Sequence, residues 1–100
     1  MIRIEIKKTN DKYTEIIFKG HANYDVYGKD IVCAAVSSTM LCTVNAIYLI
    51  NADSIKTIEE NNKFTIEVIK DDNIINKLLE NMIHCLESLE EQYPKSIKIK

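Results

Sequence analysis

The residues best suited to chemistry lie in one short segment, at His21, Asp30, Cys33 and Ser37. A thiolate is a strong nucleophile, and a nearby imidazole can take the proton of the thiol and later protonate a leaving amine. His21 and Cys33 are therefore candidates for the base and the nucleophile of a thiol hydrolase. Residue type alone is not specific, because a lone cysteine in an Ala- and Val-rich helix is more often a buried core residue.

The elements around this segment would bring the two residues together. Asp is a favoured N-cap, so Asp30 before an uncharged run predicts a helix from Ile31 to about Ile50. Cys33 would then be the third helical residue, where unpaired amides and the helix dipole favour a thiolate and offer oxyanion donors. His21 would leave a strand at its end, next to the start of this helix.

Two further side chains have both a functional and a structural interpretation. Asp30 could orient the imidazole, but capping of the helix by its carboxylate is the favoured interpretation. Ser37 lies four residues after Cys33 and therefore on the same helix face. It could hydrogen-bond the thiolate or position the histidine, or it could simply be a small residue that lets the helix pack closely.

The periodicity of the remaining chain predicts an α+β domain. Strict alternation, as at Ile2, Ile4 and Ile6, predicts strands, and Asn/Asp-rich turns pair them into two hairpins. Asp71 or Asp72 is expected to cap a second helix that ends before Pro94. Its predicted apolar stripe comprises Ile75, Leu79, Met82, Leu86, Leu89 and Tyr93, and Ser96–Lys100 is expected to form a closing strand.

The order of elements is therefore strand, strand, helix, strand, strand, helix, strand. Hairpins that alternate with helices favour an antiparallel or mixed sheet with two main helices packed on it. The length of 100 residues fits one domain, and no linker, repeat or low-complexity tract divides it, so we expect a single domain over residues 1–100.

The first helix is unusual because no charged residue occurs between Ile31 and Ala52. A membrane span has to be considered, but Ser, Thr and Asn interrupt the segment and favour a buried helix of a domain with no membrane partner. A helix that is apolar on nearly all sides needs cover on more than one face. Part of that cover is expected to come from a second subunit.

Charge and cysteine content narrow the partners and the compartment. The net charge is −2 and the isoelectric point is about 5.7, whereas duplex-binding domains are usually basic, so direct nucleic-acid binding is not expected. The three cysteines are widely spaced and form no CxxC motif, which indicates neither a disulfide framework nor a metal site. The N-terminal segment alternates and lacks the apolar core of a signal peptide, so we expect a cytoplasmic protein.

The central segment resembles a known family. Gly20-His21-Ala22, a short loop, and then a stretch from Gly28 through Asp-Ile-Val-Cys-Ala-Ala-Val to Ser37 is similar to the ribosomal-processing cysteine proteases. These bacterial enzymes remove a short N-terminal extension from a large-subunit ribosomal protein. The resemblance implies that His21 and Cys33 form the catalytic pair and places the family's Asp and Ser on Asp30 and Ser37. The family usually has Gly where this chain has Asn23, and Asn also tolerates a positive φ.

The resemblance carries further expectations. It implies a homodimer without a cofactor, and cleavage after a pair of bulky aromatic residues in the ribosomal protein. Tyr24 and Tyr27 lie in the loop between base and nucleophile, where they could close over such side chains or pack the loop onto its own domain. Cys42, His84 and Cys85 are interpreted as structural.

A second hypothesis is a non-catalytic, ribosome-associated binding or assembly module built on the same fold. Such a module has no need for a reactive thiol at Cys33. Rapid alkylation of Cys33 in mildly acidic solution would therefore favour the protease, and slow alkylation would favour the module.

Overall fold

The computed structural model describes residues 1–20, 29–70 and 72–100, with residues 29 and 30 described by their backbone alone. These residues form two helices and a five-stranded mixed sheet, as the alternation predicts. The elements are β1 (Ile2–Thr9), β2 (Lys12–Lys19), α1 (Lys29–Asn51), β3 (Ile55–Glu60), β4 (Lys63–Val68), α2 (Asn73–Gln92) and β5 (Ile97–Ile99).

The sheet has the strand order β3-β4-β2-β1-β5. Neighbouring strands are antiparallel except β1 and β5, which run parallel, with Ile2 opposite Ile97. The central neighbours β2 and β4 belong to different hairpins and pair Ile16 with Ile66 and Phe18 with Phe64. This pairing places the turn of the second hairpin beside the end of β2.

Both hairpins close through two-residue turns whose residues have positive φ. The angles are 53° and 63° at Asn10 and Asp11, and 46° and 63° at Asn61 and Asn62. Two consecutive residues in this region define the turn that matches the twist of paired strands, and Asn and Asp adopt it more readily than other non-glycine residues. The turn chemistry of the sequence therefore sets the register next to each turn, and in the first hairpin an irregularity between Lys7 and Lys8 shifts the register by one residue further along the strands.

The helix α1 presents a different set of residues on each of its sides. Its buried stripe packs into the core and comprises Val32, Val36, Met40, Val44 and Ile47. At 100° per residue, the opposite side carries Ile31, Ser38, Cys42, Asn45 and Leu49, all of them exposed and uncharged. We call these five residues the outer face of α1.

Residues Ile31–Asn51 are long enough and apolar enough to cross a membrane, with a mean hydropathy of 1.7. The buried stripe of α1 nevertheless forms part of the same core cluster as Ile4 and Ile16 of the sheet. We therefore interpret α1 as the core helix of an α+β domain, since such helices can be as long and as apolar as a membrane span.

The second helix begins and ends as its sequence predicts. The Asp72 carboxylate accepts hydrogen bonds from the amides of Ile74 and Ile75 at 2.8 and 3.2 Å, which makes Asp72 the N-cap. Tyr93 is the C-cap and is more than one-third exposed, so the predicted apolar stripe is buried only as far as Leu86 and partly at Leu89. Ile83, which the predicted stripe omitted, is also buried.

Candidate active site

A groove of about 590 Å³ lies between α1 and one end of the sheet. Three segments surround it: the first half of α1, the end of β2, and the β3–β4 turn. Both Cys33 and Ser37 line this groove. The remaining lining residues are Ile2, Phe18, Gly20, Val36, Met40, Leu41, Glu59, Glu60, Asn61, Asn62, Lys63 and Phe64.

Cys33 occupies the wall of the groove that α1 provides. Its side chain is half-buried and packs against the hydrophobic core while also facing the groove. Ser37 follows one helical turn later and is exposed to the same groove. The predicted i, i+4 relationship therefore places a thiol and a hydroxyl on one wall of one cavity, as the spacing requires.

The start of α1 differs from the prediction. The helix begins at Lys29, so Asp30 lies in its first turn and is not the N-cap, and Cys33 is its fifth residue rather than its third. In an α-helix that begins at Lys29, the amide of Cys33 donates to the Lys29 carbonyl oxygen. The Cys33 amide therefore has a helical partner and is not one of the unpaired amides of the first turn, where the sequence placed it.

The physical reason for this error is the chemistry of aspartate. Its carboxylate is favourable both at the N-cap, where it accepts amide hydrogen bonds, and inside the first turn, where it faces the positive end of the helix dipole. An Asp before an apolar run therefore locates a helix start to within a turn and does not distinguish the two positions.

The end of β2 is fixed by Gly20. Its φ is +79°, and a Cβ on this residue would lie 2.7 Å from the carbonyl oxygen of Met1. Its amide donates to the carbonyl oxygen of Asn62 at 3.1 Å. Only glycine fits both the conformation and the close approach of Met1. The residue that follows Gly20 in the chain is His21, so the last described position before the predicted base lies in the wall of the groove.

The predictions for His21, Tyr24 and Tyr27 fall on residues 21–28, outside the described part of the chain. Asp30 is described by its backbone alone, so its predicted side-chain role is not observed. Of the predicted site residues, the structure thus brings Cys33 and Ser37 together.

The groove combines an apolar interior with a polar rim. The rings of Phe18 and Phe64 meet edge to face, with centroids 6.4 Å apart and planes at 73°. Around the β3–β4 turn the lining is polar, with carboxylates at Glu59 and Glu60 and side-chain amides at Asn61 and Asn62. An apolar pocket rimmed by polar groups suits a peptide, whose side chains are apolar in places and whose backbone is polar throughout.

A salt bridge lies directly before Gly20 in the chain. The Lys19 ammonium lies 2.7 Å from a carboxylate oxygen of Glu5 across the β1–β2 pair. The hydrogen bond from Lys19 lowers the pKa of Glu5, with the charges of Lys19, Lys7 and Lys100 adding to the effect against a smaller opposing desolvation. The interaction links the last residue of β2 to the neighbouring strand.

The other thiols and the second histidine lie away from this groove. Cys42 is exposed on the outer face of α1, nine residues from Cys33 and half a turn around the helix. His84 and Cys85 are exposed on α2. Within residues 1–20, 29–70 and 72–100, no group of three or more His, Cys, Asp and Glu side chains is arranged to hold a metal ion.

Sequence reasoning missed the part of the groove that the β3–β4 turn contributes. Glu59, Glu60, Asn61 and Asn62 are a hairpin end in the sequence, and they reach Cys33 only because β4 pairs with β2. The sequence signals the hairpin, but it carries no signal for which strands of different hairpins are neighbours.

A thiol that faces a groove of this size could act on a bound peptide, and comparison with known proteins identifies a family of cysteine proteases. The sequence profile of the family described as cysteine protease Prp matches residues 1–98. This chain therefore belongs to the cysteine protease Prp family and is a peptide hydrolase of the thiol class.

Two relatives are similar over nearly their whole length. The ribosomal processing cysteine protease Prp of Staphylococcus aureus is 32% identical over 103 residues, which cover 99% of this chain and 97% of the relative. The protein of the same name from Bacillus subtilis is 32% identical over 107 residues, covering 99% and 96%.

Solved structures share the fold. The crystal structure of the S. aureus protease with a covalently linked product peptide superposes with a TM-score of 0.90 at 29% identity, covering 100% of this chain and 98% of that one. A second structure of the S. aureus protease, with a substrate peptide, gives a TM-score of 0.90 at 28% identity and the same coverage. These superpositions agree with the α+β fold and the element order predicted from the sequence.

Proposed function

We propose that this chain is an endopeptidase that removes a short N-terminal extension from a large-subunit ribosomal protein, with Cys33 as nucleophile and His21 as base. The observation that carries the proposal is the position of Cys33 on the wall of a peptide-sized groove whose neighbouring wall contains Gly20, the residue before His21. The names of the relatives from S. aureus and B. subtilis, ribosomal processing cysteine proteases, support the substrate class.

In the proposed reaction, His21 accepts the proton of Cys33, and the thiolate sulfur attacks the carbonyl carbon of the scissile bond. The tetrahedral intermediate collapses as the His21 imidazolium protonates the leaving amine, which leaves a thioester on Cys33. His21 then accepts a proton from water, the hydroxide attacks the thioester, and the thiol is restored. The S. aureus relative crystallised with a covalently linked product peptide supports a covalent intermediate. No step needs a metal or an organic cofactor.

Two groups are proposed to support this pair. Ser37 lies one turn from Cys33 in the same groove and is proposed to hydrogen-bond the thiolate or the imidazole. Asp30 lies in the first turn of α1 and is proposed to orient His21.

Substrate recognition is proposed to use Tyr24 and Tyr27 together with the apolar groove. The edge-to-face pair of Phe18 and Phe64 offers an aromatic surface for bulky side chains before the scissile bond. Tyr24 and Tyr27 belong to the segment between Gly20 and α1, and they are proposed to close over the same side chains.

We further propose that the protein is a homodimer formed through the outer face of α1. Its residues are exposed and uncharged, and Ile31 and Leu49 keep 63% and 88% of their surface accessible. Only 28% of the most apolar window of this helix is buried in the single chain. A contiguous uncharged helix face of this size favours association with a second copy.

The proposed compartment and the proposed partners both follow from the composition of the chain. Three thiols without a disulfide favour a reducing cytoplasm, where Cys33 keeps its thiol. With a net charge of −2, the chain is proposed to recognise the ribosomal protein itself, without a direct nucleic-acid contact or a membrane.

The direct test is to incubate the purified protein with the extended ribosomal protein from the same cell and to follow the mass of the substrate. We expect trimming at a single bond by the wild type and none by Cys33→Ala or His21→Ala. Cys42→Ser and Cys85→Ser are the matched controls and should retain turnover. Intact substrate with the wild type, or trimming by Cys33→Ala, would reject the proposal, and the former would favour a binding module.

A further inference from the structure

The strand β3 forms one edge of the sheet. Two hydrogen bonds show which of its backbone amides and carbonyls face β4 and which point outward. The amide of Gly20 donates to Asn62, so the peptide groups of Asn62, Phe64 and Ile66 face β2. The peptide groups of Lys63, Thr65 and Glu67 therefore face β3. The amide of Ile69, two residues after Glu67, also points to this side and donates to the carbonyl oxygen of Ser54 at 2.8 Å.

The register of β3 and β4 completes this assignment. The partners of Lys63, Thr65 and Glu67 are Glu60, Ile58 and Lys56, whose peptide groups therefore face β4. Because the direction alternates along a strand, the amides and carbonyls of Ile55, Thr57 and Glu59 point away from β4. Among the described residues, no hydrogen bond outside the ladder reaches these backbone groups.

This edge leads to the nucleophile. Near its start, the hydroxyl of Thr57 hydrogen-bonds that of Tyr48 on α1 at 3.1 Å, a contact made by the side chain and not by the backbone. Further along, Glu59 and Leu41 line the same groove, and the groove continues to Cys33. The edge of β3 thus runs antiparallel to α1 and towards the thiol, beside the helix side that carries Leu41 and Tyr48.

We propose that the segment of the ribosomal protein that is cleaved binds as an additional β-strand on the edge of β3. Its backbone pairs with Thr57 and Glu59, and the side chains that point inward pack against Leu41 and Tyr48 of α1. An edge with unpaired amides and carbonyls is a template for an extended peptide, and the pairing supplies affinity without regard to sequence. The proposal rests on the proposed function and adds the binding mode.

Two features identify the occupant as the substrate. The edge is continuous with the groove that contains Cys33, so a chain paired with Thr57 and Glu59 is delivered to the thiol. At the groove end of the edge lie the carboxylates of Glu59 and Glu60 and the ammonium of Lys63, so the lining has one net negative charge, which complements a basic chain. RNA-binding ribosomal proteins are chains of this kind. The outer face of α1, proposed for the dimer, lies on a different side of the helix, so both contacts can form together.

Amide hydrogen exchange measured by NMR tests the pairing. The sample is Cys33→Ala with a synthetic peptide that spans the extension and the first residues after the cleaved bond. Saturating peptide should slow exchange at Thr57 and Glu59 by about tenfold or more, because these amides gain acceptors. The amides of Lys56 and Ile58 already face β4 and serve as the internal control, with little change expected.

A second measurement uses the wild-type enzyme and does not depend on that variant. Peptides that are N-methylated at one backbone position each are compared by kcat/KM. A methyl group on a paired amide should lower kcat/KM by about tenfold or more, and one on the next amide should have little effect. Along the part of the peptide that pairs with β3, N-methylation should therefore lower kcat/KM at every second residue.

The outcomes separate this inference from the proposed function. Cleavage at one bond without protection of Thr57 and Glu59, or with losses that do not alternate, would overturn the added strand and leave the protease assignment intact. Absence of both cleavage and binding would overturn both. Protection that grows with protein concentration alone and does not respond to peptide would assign the edge to a second copy of this chain and reject the substrate.

Discussion

The carbonyl oxygen of Asn62 accepts a hydrogen bond from the amide of Gly20 at 3.1 Å. This contact joins the turn of one hairpin to the last described residue before His21, and both residues line the groove that contains Cys33. The position from which the predicted base leaves the sheet is therefore set by a strand pair from two different hairpins.

Replacing Gly20 by alanine should disturb this junction. The added Cβ would meet the Met1 carbonyl oxygen at 2.7 Å in a backbone conformation that alanine rarely adopts. We expect a loss of about 1 to 3 kcal/mol in the free energy of unfolding, measured by urea denaturation. Asn62→Gly, which keeps a positive φ available, is the control and should change stability by less than about 1 kcal/mol. A Gly20→Ala variant as stable as the wild type would contradict the geometry.

The three thiols should differ in reactivity. If His21 and Cys33 form an ion pair, iodoacetamide at pH 6 should modify Cys33 before the exposed Cys42 and Cys85, although Cys33 is the least accessible of the three. Peptide mass mapping over time gives the order of modification. His21→Ala should remove the preference. Equal rates at all three thiols, or preference that survives His21→Ala, would argue against the pair.

Ser37→Ala tests the positioning role. Loss of one hydrogen bond to a charged group should lower kcat/KM by about tenfold, with a larger effect on kcat than on KM. Since Ser37 is exposed, the free energy of unfolding should change by less than about 0.5 kcal/mol. Ser38→Ala, one residue along on the outer face of α1, is the matched control and should retain full activity. Equal activity of the two variants would assign Ser37 to packing alone.

Leu49→Glu tests the proposed dimer. A charge at this 88% exposed position should not affect the fold of the single chain but should repel a second copy. Light scattering after size exclusion should therefore show a dimer for the wild type and a monomer for the variant. Ile69→Glu, also at an exposed apolar residue but outside α1 and its outer face, should remain dimeric. A monomeric wild type at micromolar concentration would exclude this interface.

Glu5 should contribute to the acid sensitivity of stability. Its pKa in the folded protein lies below the ordinary value of 4.5 because Lys19 donates a hydrogen bond to it. A lowered folded pKa means that the contribution is present above the unfolded pKa and is lost as pH falls through the folded pKa. Unfolding midpoints measured from pH 7 down to pH 3 should therefore fall less steeply for Glu5→Gln than for the wild type. Glu80→Gln is the control, and a slope unchanged by Glu5→Gln would contradict the assignment.

Local signals in the sequence were sufficient for most elements. Asp72 and Pro94 bracket α2, and the two Asn/Asp turns set the hairpins, because caps and turns depend on residues within a few positions of one another. The i, i+4 spacing of Cys33 and Ser37 likewise predicted that they share one face of α1, and in the structure both line the groove. The start of α1 was misplaced because aspartate is favourable on both sides of a helix boundary.

The composition of the groove could not be derived in the same way. Phe64 and Glu59 reach the region of Cys33 through the pairing of β2 with β4, and this pairing joins residues about 46 positions apart in the chain, such as Phe18 and Phe64. Hairpin patterns specify which strands are joined by a turn, and they leave the order of the hairpins in the sheet to tertiary packing. The proposed roles of His21, Asp30, Tyr24 and Tyr27 remain predictions.

The parallel pairing of β1 with β5 has a consequence for synthesis. Ile2 lines the groove and is held opposite Ile97, so this wall of the groove cannot form until residue 97 has been synthesised. Contacts of such long sequence separation form late, since the intervening chain must first be closed into a loop. A nascent chain would therefore carry Cys33 beside an incomplete groove until residue 97 has emerged from the ribosome.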